Sequence, residues 1–150
     1  MAALKQLVHH ACLESVQQKI NLIQQSMQEA QLSANEETKS SAGDKYETGR
    51  AMAQLEIEKL SSQLAILQGQ LQELNRAGQT QHANHIAFGS LVHTDAGVFY
   101  IATNAGNLVV DGKKIFAISP QAPIAQKMIG LSVRETLDMN GRAFTVTAIE

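Results

Sequence analysis

Two heptad patterns occupy the first half of the chain. In both, apolar residues alternate at spacings of three and four, and no proline interrupts them. This periodicity is typical of helices that bury one stripe against a partner helix. It predicts two long helices, whose stripes are Leu13, Val16, Ile20, Ile23, Met27 and Ala30 in the first and Ile57, Leu60, Leu64, Leu67, Leu71 and Leu74 in the second.

The two patterns are symmetric about one point of the sequence. Leu13 and Leu74 lie equally far from a point between Gly43 and Asp44, and so does every pair of stripe residues inside them. Two helices joined by a short connection pack antiparallel. We therefore expect an antiparallel coiled-coil hairpin that is about 45 Å long at ~1.5 Å per residue.

The pattern changes beyond Arg76. Residues 77–85 are polar and irregular, which predicts a linker. From Ile86 onward, short runs rich in β-branched and aromatic residues predict strands. These runs are GSLVHT, GVFYIAT, NLVV, KKIFAIS, SVRETLDM and RAFTVTAI.

Turn and helix signals connect these strands. Asp111-Gly112 and Asn140-Gly141 are typical of two-residue hairpin turns, and Pro123 suits the first turn of a short helix. We expect an α+β protein with a coiled-coil hairpin over 1–76 (tip at about 38–49), a linker over 77–85, and a small antiparallel β-sheet domain with one short helix over 86–150.

Composition narrows the function classes. The 150-residue chain carries a net charge of −2, so no overall positive field favours DNA or an anionic membrane. No segment approaches the ~20 apolar residues of a membrane span, and the start does not resemble a signal peptide, so we expect a cytoplasmic protein. Cys12 is the only cysteine, which excludes an intramolecular disulfide; its helical context predicts a buried or half-buried thiol.

Histidines give weaker signals. His82 and His85 have HxxH spacing, but no carboxylate or cysteine accompanies them, so a solvated linker is favoured over a metal site. His9 and His10 are adjacent, which places them on different faces of a helix, and we expect both at the surface.

The connection between the helices, SAGDKYETGR, concentrates charge at the expected apex. Asp44 suits a helix N-cap, and Glu47 three residues later would complete a capping box. Alternatively, the two carboxylates share a divalent cation with a partner, because Mg²⁺ typically takes one or two protein carboxylates and keeps several waters. A residue can serve both purposes.

The whole pattern resembles the Gre transcript-cleavage factors of bacterial RNA polymerase, which have a coiled-coil hairpin followed by an FKBP-like domain. AFGSLV is similar to the family's first strand. The segment from Ile118 to Val133 is similar to the family run ISxxSPLxxxLLGxxVG, and matches it at Pro123, Ile124 and Gly130.

The last strand also fits the resemblance, which covers most of the chain. The family's closing pattern, Tyr-x-Ile-x-x-Ile, is met by Phe144, Val146 and Ile149. Two positions depart from the family. Ala122 stands where the family usually has Ser, and Arg134-Glu135 stands where it usually has Gly-Asp.

Two alignments of the tip compete. The family signature there is GDLSENAEY, followed four residues later by Arg. Matching its GDxxE to the segment from Gly43 to Glu47 keeps both metal-binding carboxylates. Since the heptad symmetry places Asp44 at the apex without reference to any motif, we favour this alignment.

The second alignment matches Tyr-x-x-x-Arg to Tyr46 and Arg50. It places Lys39 and Ala42 at the acidic positions, which would leave a tip without cleavage activity.

The resemblance implies a function. The hairpin would enter the secondary channel of bacterial RNA polymerase, and Asp44 and Glu47 would help hold a catalytic Mg²⁺ of the polymerase against backtracked RNA. The chain would be a monomeric accessory factor that stimulates RNA hydrolysis by the polymerase, with no cofactor of its own. The residues implied to contact polymerase or RNA are Lys39, Lys45, Tyr46 and Arg50.

Three alternatives remain open. The first is a secondary-channel regulator of the same fold that does not cleave. The second is an FKBP-like prolyl isomerase or chaperone, although the absence of Trp removes the aromatic platform of such clefts. The third is a structural coiled coil that dimerises through its stripe.

Overall fold

A computed structural model of the protein describes residues 2–37, 44–81 and 83–150. Two long helices come first and pack against each other, and a six-stranded sheet with one short helix follows, so the protein belongs to the expected α+β class. The elements are α1 (Ala2–Glu37), α2 (Asp44–Ala77), β1 (Leu91–Thr94), β2 (Gly97–Ile101), β3 (Gly106–Val110), β4 (Lys113–Ile118), α3 (Pro123–Met128), β5 (Thr136–Met139) and β6 (Arg142–Ile149).

Burial along α1 and α2 follows the predicted stripes. Every stripe residue is buried or half-buried, and Ile20 and Leu60 are among the buried ones. Several large apolar side chains that fall off the stripes are exposed instead, among them Leu22 (64%) and Ile66 (65%). The heptad spacing therefore predicted which face of each helix is covered.

A groove of about 360 Å³ lies between the two helices. Each helix lines the groove with residues at the same three heptad positions. These are one stripe residue, the residue directly before it, and the residue directly before the preceding stripe residue. The lining residues are Lys19, Leu22 and Ile23 from α1 and Gln63, Ile66 and Leu67 from α2.

The sheet is mixed, so the expected antiparallel sheet was wrong at one pair of strands. Its order is β3-β4-β2-β1-β6-β5, and β2 and β4 run parallel. The reason is topological. The chain reverses between β2 and β3 and again between β3 and β4, and β3 takes the outer edge of the sheet. Two strands of the same direction are thereby left as neighbours.

Both predicted two-residue turns are present. Asp111 and Gly112 have φ values of 54° and 75°, and Asn140 and Gly141 have values of 55° and 80°. Positive φ at both central residues is the mark of a type I′ turn, whose twist matches that of the flanking strands. Asn, Asp and Gly are the residues that adopt this conformation at low cost.

An apolar core cluster lies in the sheet domain. Its buried members come from the segment before β1, from β1, β2, β5 and β6, and from α3, which begins at Pro123 as the sequence predicted. The rings of Phe99 and Phe116 stack beside each other with centroids 5.2 Å apart. The buried core residues are Ile86, Val92, Phe99, Ile101, Ala125, Met128, Leu137 and Val146.

The chain divides into two compact units. One contains residues 17–69, and the other contains residues 1–16 together with 70–150. The first turns of α1 and the last turns of α2 therefore belong to the same compact unit as the sheet. None of the helices among the described residues is sufficiently long and apolar to span a membrane.

Polar and aromatic contacts hold the end of α2 to the sheet domain. The Gln70 amide donates to the carbonyl oxygen of Asn104 at 3.2 Å, and the buried Thr103 hydroxyl donates to the Glu73 carboxylate at 3.1 Å. Heptad spacing does not encode such contacts, because each of them depends on a loop next to the sheet.

Arg134 has a φ of 79°, a left-handed conformation that costs a side-chain-bearing residue about 1–2 kcal/mol. Because glycine adopts this conformation freely but loses more entropy on folding, we predict that Arg134→Gly raises the free energy of unfolding by about 0.5–1 kcal/mol. Urea denaturation would measure the change. Asn140→Gly is the matched control and should change stability less, since Asn tolerates the same conformation. A destabilised Arg134→Gly protein would contradict this account.

Candidate functional site

The predicted tip lies at the start of α2. The helix begins at Asp44, next to the symmetry point of the two stripes, and Glu47 follows in the same first turn. Glu47 and Arg50 are both exposed. Lys39 and Ala42 lie outside the described residues, as do the side chains of Asp44, Lys45 and Tyr46.

An open groove of about 520 Å³ adjoins this first turn. It is lined by Glu47, Arg50, Ala51 and Gln54, so a carboxylate, a guanidinium and an amide border the same space. Such a set can contact both a cation and a phosphate oxygen. Mg²⁺ prefers six oxygen ligands, and Glu47 contributes at most two of them. In the described parts of the chain, no three His, Cys, Asp or Glu side chains are grouped to hold a metal ion.

A second polar site lies where α1 meets β2, within the unit that contains the sheet. His9 Nδ1 and the Tyr100 hydroxyl oxygen are 2.8 Å apart, and the two rings meet edge to face. Tyr100 is fully buried. Burial, and secondarily the neighbouring Cys12, raises the pKa of Tyr100, so the hydroxyl stays protonated. Because Nδ1 of His9 is the one acceptor that this buried hydroxyl reaches among the described residues, we assign the hydroxyl as the donor and the ring proton of neutral His9 to Nε2.

Three physical effects shift the pKa of His9. Burial is the largest, followed by the charges of His10 and Lys5, and all three lower the pKa of His9 from its ordinary value of 6.5. The neutral imidazole is consequently the form that the folded protein favours.

The sequence-based expectation for the two histidines was half right. His10 is exposed as expected, but His9 is half-buried and hydrogen-bonded. A signal was available, because extending the first stripe by four residues from Leu13 reaches His9. Its symmetric counterpart is Gly78, and His9 Nε2 lies 2.8 Å from the position that a Cβ of Gly78 would occupy. A glycine at this position leaves room for the imidazole.

Two other expectations concern the histidines of the linker and the single thiol. His82 lies outside the described residues, and His85 is exposed, where its backbone forms an isolated bridge with Ser132. Cys12 is fully buried, which confirms the prediction of a buried or half-buried thiol. Its burial raises the pKa of the thiol to about 12.

The chain was compared with known proteins. No protein-family model matches it, and no curated protein matches it significantly. The resemblance described above therefore stays a prediction.

The lowered pKa of His9 predicts a pH-dependent stability. Between the folded pKa and the unfolded value of 6.5, the unfolded chain binds a proton that the folded protein does not, so stability falls as pH decreases through this window. We expect His9→Gln to reduce the loss of unfolding free energy between about pH 7.5 and 5.5, measured by urea denaturation. His85→Gln, which changes an exposed histidine, should keep the wild-type slope.

The raised pKa of Cys12 predicts protection from thiol reagents. The thiolate is the reactive form, and a pKa of about 12 instead of 9.0 lowers its fraction by about a thousandfold near pH 8. We expect native protein to react with an aromatic disulfide reagent at least about a hundred times more slowly than the same chain in urea, since local opening provides some access. Equal rates in the two states would show that Cys12 is accessible.

Proposed function

We propose that this chain is a transcription elongation factor of the Gre type, which binds bacterial RNA polymerase and stimulates cleavage of backtracked RNA. The observation that carries the proposal is the position of two acidic residues, Asp44 and Glu47, in the first turn of α2, the second of the two long helices. In this proposal the chain is an accessory factor and the polymerase supplies the active site.

The proposal includes an antiparallel coiled-coil hairpin that inserts its tip into the secondary channel. The buried stripes and the groove lined by equivalent positions of α1 and α2 support it. A pair of helices with one narrow apolar seam buries little surface for its length. Such a shape suits a probe that must reach a recessed site.

The proposal also includes an FKBP-like sheet domain that contacts the polymerase. Arg134 supports the alignment on which this part rests. It stands where the family usually has glycine, and its φ of 79° is the conformation for which glycine is the preferred residue. The alignment thus matches a backbone requirement of this chain, even though the residue type differs.

The proposed chemistry is a phosphodiester hydrolysis. Water attacks phosphorus, the phosphorus–oxygen bond to the 3′ segment breaks, and the departing oxygen takes up a proton. Asp44 and Glu47 would donate carboxylate oxygens to a Mg²⁺ ion that the polymerase also binds, and this ion would lower the pKa of the attacking water. Glu47 is exposed and available to a partner.

The neighbouring polar residues would position the complex. Arg50 borders the same groove as Glu47, where its guanidinium can donate two hydrogen bonds to a phosphate or a polymerase carboxylate. The other residues proposed to contact polymerase or RNA are Lys39, Lys45 and Tyr46.

A non-cleaving regulator of the same fold is the second candidate. The spacing of Tyr46 and Arg50 on α2 favours it, because this spacing fits the alignment that lacks both acids. A prolyl isomerase has less support. Phe99 is buried and stacks on Phe116 in the core, so these two rings do not line an open cleft.

A transcript-cleavage assay tests the proposal. Backtracked complexes of the polymerase from the same organism would be incubated with the chain and Mg²⁺, and shortening of labelled RNA would be followed. We expect cleavage to be stimulated by the wild type and reduced by at least about a hundredfold in Asp44→Ala/Glu47→Ala, because losing metal ligands removes several kcal/mol of transition-state stabilisation.

The matched control changes two other exposed carboxylates of the same helix. Glu56→Ala/Glu58→Ala removes the same charge from α2 and should retain wild-type stimulation. If the wild type binds the polymerase but never shortens the RNA, the chain is a non-cleaving regulator and the proposal of a cleavage factor is wrong. If it does not bind the polymerase, both are wrong.

A further inference from the structure

A small cavity lies beside the His9–Tyr100 hydrogen bond, within the unit formed by residues 1–16 and 70–150. Its volume is about 230 Å³, enough for a few non-hydrogen atoms. Among the described residues, two histidines, a lysine, an amide and two hydroxyl-bearing residues line it, and no carboxylate does. The lining residues are Lys5, Gln6, His9, His10, Gly78, Thr80 and Tyr100.

One hydrogen-bond donor at this cavity has no partner. Since the Tyr100 hydroxyl occupies Nδ1 of His9, the ring proton sits on Nε2. That atom lies beside Gly78, which lines the same cavity, and the hydrogen bond that the described residues form with His9 uses Nδ1 and not Nε2. A bound acceptor would satisfy it.

The charge around the cavity favours an anion. Lys5 is half-buried, and burial lowers its pKa because a desolvated cation lacks compensation. The carboxylate of Glu150 acts on Lys5 in the opposite direction and raises its pKa; Oε2 of Glu150 lies 2.5 Å from His93 Nε2, whereas its buried Oε1 has no hydrogen-bond partner among the described residues. His10 adds a second group that can carry positive charge.

We propose that this cavity binds a small oxyanion, the carboxylate or phosphate group of a small molecule, through Lys5, His9 Nε2–H and His10. Thr80 borders the site but donates its hydroxyl to the carbonyl oxygen of Ala77 at 2.8 Å, so it shapes the cavity and supplies no free proton. The site uses none of the tip residues and does not depend on the proposed function.

Binding would be coupled to proton uptake. The groups that face His9 are Lys5 and His10 from α1 and Tyr100 from β2, with Cys12 next to Tyr100. An anion among them would offset the positive charges that disfavour imidazolium. It should therefore raise the pKa of His9, and its affinity should increase as pH falls.

Histidine-ring NMR on the full chain tests the site. Inorganic phosphate and acetate would be titrated separately into the protein near pH 6.5, with chloride holding the ionic strength constant. We expect saturable shifts of the His9 and His10 ring signals with at least one of the two anions, while His85 moves little. Saturation by phosphate alone identifies a phosphate site, and saturation by acetate identifies a carboxylate site.

Variants assign the binding to this cavity. Lys5→Gln should weaken binding by about tenfold, because it replaces a charge-assisted hydrogen bond with a neutral one. Lys19→Gln, on the same helix but outside the cavity, is the matched control and should leave the affinity unchanged. Gly78→Ala would place a methyl group 2.8 Å from His9 Nε2 and should abolish the shift of His9.

Three results would overturn the proposal. The shifts could increase linearly without saturation for both anions, His85 could respond as strongly as His9, or Lys5→Gln could bind as tightly as the wild type. Circular dichroism and thermal unfolding establish that each variant is folded. Lys5→Gln and His10→Gln change residues outside the His9–Tyr100 hydrogen bond, so these variants test anion binding without altering that contact.

Discussion

The buried hydroxyl of Tyr100 needs a hydrogen-bond partner, and this need links α1 to the sheet within the sheet-containing unit. β2 places this side chain where it has no exposure to solvent, and an unpaired buried hydroxyl costs about 1–3 kcal/mol. No neighbouring strand supplies the partner; His9 of α1 does. The buried hydroxyl of β2 thus binds the first helix at His9. Val8 and Cys12, which lie close to His9 along α1, are fully buried.

This single bond has consequences for both chemistry and shape. It assigns the proton of neutral His9 to Nε2, and Gly78 provides the space in which that edge of the ring lies. Among the described residues, cationic and donor groups then border a cavity with no carboxylate in its lining. The proposed tip, by contrast, is proposed to act through two acidic residues, Asp44 and Glu47. Because the two sites belong to different compact units and share no residue, each can fail without the other.

Periodicity predicted much of the fold, for reasons that are local. The two stripes, which include Ile20 on α1 and Leu60 on α2, could be predicted because residues about 3.6 positions apart lie on the same face of a helix. Asn140-Gly141 turns because both residues adopt positive φ at low cost. The parallel pairing of β2 with β4 could not be predicted in the same way. It depends on β3 taking the outer edge, a choice among arrangements with the same strands and turns.

The sequence by itself determined the two helices, their buried faces, the six strands and the start of α2 at Asp44, because each depends on spacing or on the conformational preference of one or two residues. Only the tertiary structure decided that His9 is half-buried, that residues 1–16 and 70–77 belong with the sheet, and that a cavity lies beside Tyr100. These features arise from contacts between residues as far apart as 91 positions, and no local pattern encodes which distant partner satisfies a buried polar group.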